Sequence, residues 1–402
     1  MGRAAGELDA SRGLRPYITK SRTTYMKPIL MIALYLLATI AAAACAIYFS
    51  LYDIVIAKEV LFFGAFSFII VITIMVTLPL ITLHRAERTT SPGVFAMAKK
   101  DAILSSLVAL VAVFPIASIA LAFAIDAVPA IATAIAPYWL VLLGIEVDGI
   151  RWYCRRINAI LDPQSFMKIL AKNIVTAARS EKFDVFDKDL DIMGTMISRH
   201  ITNGDVTATT TIHTMTQAVI DVVSLAEDSK NIPLIDRMPH LLSKTCGHLE
   251  TAIAASTAKN LNVIAENGIH SIRALTMTTA YAYPPFATIP LGCMQRAIES
   301  LVKEKSDNML VAIACTMLAD DACNLLDHVD SNDDAVATFY DEVLGFLEYF
   351  INVTQKQKDE ALAKEIVKGV GVIANKLAMP PFSKKTRCQE LLKRAQKIIE
   401  KY

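Results

Sequence analysis

The chain is short of nearly everything that marks the common small-protein classes. Its seven cysteines are scattered over 402 residues, too few and too dispersed for a disulfide scaffold. Fifteen glycines and fifteen prolines exclude a collagen-like or linker-rich chain. An excess of one charge is missing too. Forty lysines and arginines stand against 39 aspartates and glutamates, so nothing draws the whole molecule to nucleic acid. There is no G-x-S-x-G elbow, no H-E-x-x-H pair and no phosphate loop, so no catalytic residue and no cofactor site is assigned and nothing points to an enzyme. Disorder is excluded as well, because 54% of the residues are hydrophobic.

What the chain has in abundance is long uncharged runs. Four lie in the first 150 residues, at 28–52, 60–83, 102–125 and 127–145, and none contains Asp, Glu, Lys, Arg or His. Each has about the 20 residues that an α-helix needs to cross ~30 Å of hydrocarbon. The reading is a four-helix transmembrane bundle within 28–148, with helices at about 28–52, 60–83, 102–125 and 127–147. Basic residues set its orientation. Arg3, Arg12, Arg15, Lys20, Arg22 and Lys27 crowd the tail at 1–27, and Arg85, Arg88, Lys99 and Lys100 the second loop. Arg151, Arg155 and Arg156 follow the fourth run, and the two other loops hold only Lys58. Both termini are therefore expected in the cytoplasm of a plasma (inner) membrane, with residues 149–402 cytosolic. Asp126 and Pro129 suit a tight turn that caps the fourth helix. Pro79, Pro115 and Pro137 read as tolerated kinks. The absence of ionisable residues from the runs weighs against a proton-coupled transporter.

Past Ile145 the composition shifts. Residues 149–162 keep a helical pattern and read as a stalk, with Trp152 and Tyr153 at the interface. Asp162-Pro163 then marks a stop and a capped new start. From 163 to 402 the apolar residues recur with helical period. Helices are expected at about 234–256, 259–279, 288–304, 307–328, 334–353, 358–378 and 386–401, among others. Val206 to Ile212 is rich in β-branched residues and is still read as helix. The fold class is all-α.

Two weak self-similarities run through this half. Asp189 to Gly194 parallels Asn260 to Ala265, and Tyr283-Pro284-Pro285-Phe286 parallels Met379-Pro380-Pro381-Phe382. Their offsets share no single period. By its helix pairing, 163–402 resembles a degenerate HEAT- or armadillo-type array. That resemblance implies a cytosolic, solenoid-like α-helical repeat domain, and a non-repetitive helical bundle is the alternative.

Several groups invite a site. Asp330, Asn332, Asp334 and Asp341 fall at ligand positions of a calcium loop, but Ala335 replaces the turn glycine and an aspartate the bidentate glutamate. A polar loop that caps a helix explains them better, and no metal is assigned. His240 and Cys246 lie about 120° apart around one helix and cannot share an ion. Lys368 to Ala374 (KGVGVIA) sits in a helical pattern without the strand that a dinucleotide loop needs. The C-terminal stretch is the strongest interaction candidate. Lys384, Lys385, Arg387, Lys393, Arg394, Lys397 and Lys401 outnumber Glu390 and Glu400, and Leu391, Leu392, Ala395, Ile398 and Ile399 line the other face. Such a helix suits an acidic partner or an anionic membrane surface, or simply caps an array. Tyr281, Tyr283 and Phe286 form a second candidate, in a proline-rich loop. The expectation is a membrane-anchored scaffold. It would meet the lipid bilayer and a cytosolic protein partner or a second copy of itself. The alternative is a channel or transporter subunit with a regulatory helical domain.

Overall fold

The computed structural model describes residues 54–89, 91–127, 132–303, 308–328 and 333–402. The tail at 1–27, the first expected span at 28–52 and the end of the turn after Asp126 lie outside the described residues. Those described form fourteen α-helices and two short 3-10 turns, with no strand among them. They divide into two compact units. One holds the residues up to His84 and Phe95–Ala159, the other Arg85–Val94 and Ile160–Tyr402.

The first unit contains most of α1 (Ile54–Thr89), α2 (Val94–Lys100), α3 (Ala102–Ala127) and α4 (Ala132–Leu161). Two stretches here, Leu61–Thr89 and Ala102–Ile125, are long and apolar enough to cross a membrane. The expected fourth span lies on α4, which begins at Ala132 and runs on through the expected stalk. Pro79 and Pro115 are carried inside α1 and α3.

A seam of large side chains joins the three long helices. Leu61 packs with Ala122 and Ile125. The Phe68 and Phe114 rings lie 4.4 Å apart between centroids, and Trp139 follows at 5.5 Å from Phe114. Trp139 Nε1 donates to Ser118 Oγ at 2.9 Å, which satisfies the only indole donor in this layer. Gly64 is needed on α1 because a Cβ there would overlap the Trp139 ring. At the other end Asp101 caps α3 through Ile103 N at 2.9 Å, and its second oxygen accepts from Arg156 Nε at 2.8 Å. Outward, Phe63, Phe66, Ile70, Ile74 and Leu78 on α1 and Ile116 and Phe123 on α3 stand exposed. That is far more apolar surface than a protein in water leaves open.

The second unit is built from five helical pairs: α5 (Pro163–Arg179) with α6 (Phe183–Thr202), α7 (Thr207–Ser229) with α8 (Ile232–Ala258), α9 (Asn262–Ala282) with α10 (Thr288–Lys303), α11 (Asn308–Leu325) with α12 (Asp334–Lys356), and α13 (Glu360–Ala378) with α14 (Thr386–Lys401). Helices pack on the next in sequence and on the next but one. Two rows result, the odd-numbered helices α5 to α13 and the even-numbered α6 to α14. Local chemistry sets the helix starts. Asp162 accepts from Ser165 N with Pro163 in the first turn, Asn231 from Leu234 N, Asp333 from Ala335 N and Asp359 from Leu362 N. Between helices the chain reverses through left-handed residues, among them Gly204 at φ 70° and Asn260 at φ 57°.

Polar bonds along a row join residues about one pair apart: Arg237 to Asp187, Arg296 to Glu250 and Arg387 to Asp334 are separated by 50, 46 and 53 positions. The two proline-aromatic motifs, 96 positions apart, are thus equivalent turns two pairs removed, and each carries a 3-10 turn, Pro284–Phe286 and Phe382–Lys384. The other expected parallel has no structural counterpart, since Asp189 is inside α6 and Asn260 is in a turn. Gly369 explains its own glycine: a Cβ there would come within 3.2 Å of Ala319 on α11. The segment Arg85–Val94 belongs to this unit. Arg199 Nη1 donates to the Glu87 carbonyl at 2.6 Å, Gly93 N donates to Glu87 Oε1 at 2.8 Å, and Ser91 and Val94 are fully buried.

Candidate functional site

The two charged groups singled out in the sequence meet on one pair of helices. Asp334, Asp341 and Glu348 recur every seven residues along α12, and Arg387, Arg394 and Lys401 do the same along α14. At that spacing each set lies on one helix face. Arg387 Nη2 is 2.9 Å from Asp334 Oδ1, Arg394 pairs with Asp341, and Lys401 Nζ is 3.4 Å from Glu348 Oε1. Arg394 also donates to the Asp341 carbonyl at 2.9 Å, and Arg387 reaches Glu390 at 3.0 Å. Asp334 and Asp341 therefore face guanidinium groups. Asp330 and Asn332 lie outside the described residues, and among those described no group of three or more His, Cys, Asp or Glu is placed to hold a metal ion.

Cys388, Leu391, Ala395 and Ile398 form the buried face of α14. Lys393 and Lys397, one turn apart, are exposed on the helix, as is Lys384 ahead of it, while Lys385 is half-buried. Of the seven basic residues, three thus bridge to α12, and Lys384, Lys393 and Lys397 stand exposed. In the second candidate, Tyr281 is exposed near the end of α9, and the Tyr283 and Phe286 rings approach to 6.0 Å across the turn. Burial raises the Tyr283 phenol above its ordinary value, with help from Glu227.

The histidines and cysteines separate. His240 lies 3.5 Å from Asp187, and His248 Nε2 lies 3.3 Å from Asp191. His248 sits over Gly194, where any Cβ would overlap its ring. Burial holds the His248 imidazole below its ordinary value, against the opposing pull of Asp191. Cys246 points elsewhere, into the core, where its carbonyl accepts from Cys293 Sγ at 3.3 Å. Burial pushes the Cys315 thiol up to about 12, which keeps it protonated and unreactive. Cys323 likewise rises to about 12, chiefly by burial.

One group escaped the sequence reading. Glu146 directly follows the fourth uncharged run, 127–145. In the structure it is only 2% exposed, and its Oε2 has no hydrogen-bond partner among the described residues. Its level is set by its neighbours. Trp139, seven residues earlier on α4, sits in the aromatic layer, and a Cβ on Gly149, one turn later, would lie 3.5 Å from Leu110 and Val111. Glu146 thus stands beside the middle of Ala102–Ile125. The signal was in the sequence: Asp126 alone separates the charge-free runs 102–125 and 127–145, so two adjacent antiparallel spans are expected and residue 146 falls opposite the interior of the third run.

No protein-family model, curated protein or solved structure matches the chain.

Proposed function

We propose that this is a four-span integral membrane protein with both ends in the cytoplasm, whose helical array 163–402 is a solenoid-like scaffold for an acidic protein partner. Arg85–Val94, which links the two apolar helices, packs with the array and carries Arg85 and Arg88. This supports a common, cytosolic side for the loop and the array. Stacked helical pairs offer extended surfaces to partners. The observation that carries the partner reading is the division of labour on α14: Arg387, Arg394 and Lys401 are committed to α12, while Lys384, Lys393 and Lys397 remain exposed. The packed face of α14 is the one that carries Cys388, Leu391, Ala395 and Ile398, and the exposed basic set lies off it, available for recognition.

The test is quantitative cross-linking of the full-length chain in its membrane, wild type against a K384E/K393E/K397E variant. The expected result is loss of a defined set of acidic partners with unchanged helical content. An unchanged partner set removes the reading. Loss of binding to anionic vesicles alone, with every protein cross-link retained, assigns the face to lipid instead.

A channel or transporter subunit is the second reading, and one observation favours it: Glu146 is a buried ionisable group level with the middle of an apolar helix. Purified protein in liposomes that shows neither ion nor proton flux removes it.

A further inference from the structure

The burial of Glu146 points to a specific ligand. On α1, Phe68 shares the aromatic layer of Phe114 and Trp139, and Met75, one heptad further along, is buried. Glu146 is one heptad past Trp139 on α4, which runs the same way. Met75 lies near the middle of Leu61–Thr89 and Val111 near the middle of Ala102–Ile125. The carboxyl is therefore level with the midpoints of both apolar helices.

Residues 60–83 of α1 and 102–125 of α3 contain no Asp, Glu, Lys, Arg or His. On its own helix the nearest charged residues are Asp148 and Arg151. They stand roughly 200° and 140° around from it, away from the seam. Arg151 is exposed, and the Arg156–Asp101 ion pair is closed upon itself at the end of α3. No cation among the described residues compensates a carboxylate here, and Oε2 accepts no hydrogen bond from them. In such surroundings a carboxyl group stays neutral by holding its proton.

We infer that Glu146 is a proton-binding site at the mid-level of the membrane unit, a carboxyl group that takes up and releases a proton within the seam of α1, α3 and α4. It goes beyond the scaffold reading and fails independently of it, because the capture of a partner by α14 does not involve Glu146; it deepens the channel reading, whose flux test is separate from the adduct map.

The test uses the full-length chain in neutral-lipid vesicles and a hydrophobic fluorescent carbodiimide. A protonated carboxyl gives its proton to one carbodiimide nitrogen while its oxygen adds to the central carbon. The acyl group then shifts to nitrogen, leaving a stable N-acylurea with nothing expelled. An ionised carboxylate brings no proton and reacts far more slowly. Adducts are mapped by mass spectrometry between pH 6 and pH 10. The expected result is one dominant adduct at Glu146, at least ten-fold above any other carboxyl at pH 7, falling at least ten-fold at the alkaline end. Glu146→Gln should lose it without loss of thermal stability. Absence of the adduct at pH 6 in wild-type protein with an intact unfolding transition overturns the inference. So does an adduct blocked by millimolar sodium at constant pH, which would assign a metal-cation site instead. The wild-type adduct map and its pH profile need no variant to fold.

Discussion

In the first unit Phe63, Phe66, Ile70 and Ile116 face outward and the seam is closed by aromatic rings, whereas in the second unit the large apolar side chains turn inward and charges bridge the helices outside. The same element, the α-helix, is turned inside out between them. Between α1, α3 and α4 the polar groups are few, and each is costly: Ser118 and Trp139 satisfy one another, while Glu146 stands alone. Along the even-numbered row, Asp187, Glu250 and Asp334 each meet an arginine from the next helix of the row. Ion pairs at such exposed positions add little stability. What they add is register, because a helix shifted by one turn would part each carboxylate from its basic partner.

The strongest way to break this contrast is to change cores and outer faces separately. Phe350 is fully buried on α12. Phe350→Ala should destabilise the array by about 3–5 kcal/mol, read as a lowered denaturation midpoint. An unchanged midpoint would mean that α12 is not part of a packed core. Next in size, Ile116→Arg on the outward face of α3 should add roughly 2–3 kcal/mol to insertion and sharply reduce the membrane-integrated fraction. Val206→Arg, on an equally exposed residue of the array, should stay within about 0.5 kcal/mol of wild type. If both arginines are tolerated alike, the two units do not face different solvents.

A smaller effect comes from acid. His248 titrates below its ordinary value of 6.5 because of burial, so the folded array prefers the neutral ring and the unfolded chain takes up the proton first. Stability is full above about pH 6.5 and is lost as pH falls through the lower folded value. The melting temperature should therefore drop between pH 7 and pH 5, and His248→Gln should flatten that part of the profile. A slope identical in the variant would assign the acid sensitivity elsewhere. The smallest effect belongs to the ladder. A double-mutant cycle on Arg394 and Asp341, both partly exposed, should give a coupling of about 0.5–1 kcal/mol that shrinks in high salt. A coupling of several kcal/mol, insensitive to salt, would make the ladder a structural keystone.

Much of the architecture was legible because it rests on local chemistry. The Asp162-Pro163 start and the limits of α14 follow from caps and from period, and the stretch Val206 to Ile212, read as helix from its neighbours, is helical from Thr207 on. Helix pairing was legible too. The repeat length was not, because only the turns at Pro284 and Pro381 keep a common motif, two pairs apart. The charged groups were visible singly, but their meeting was not: nothing local says that Asp334 and Asp341 face Arg387 and Arg394, since 53 positions separate the members of each pair. Glu146 was not singled out for a similar reason. Its neighbours in sequence make it a boundary, and its neighbours in space, set by the hairpin, make it interior.

Sidedness is tested most directly by labelling single introduced cysteines in sealed, right-side-out vesicles with a membrane-impermeant maleimide, on a background without native cysteines. Thr89→Cys, beside the loop that packs with the array, and Lys393→Cys on α14 should react only after the vesicles are opened, and Val128→Cys should react while they are sealed. Thr89→Cys and Lys393→Cys reacting from opposite sides, or Val128→Cys reacting from the same side as both, would contradict a membrane bundle that carries its loop and its helical array on one cytosolic face.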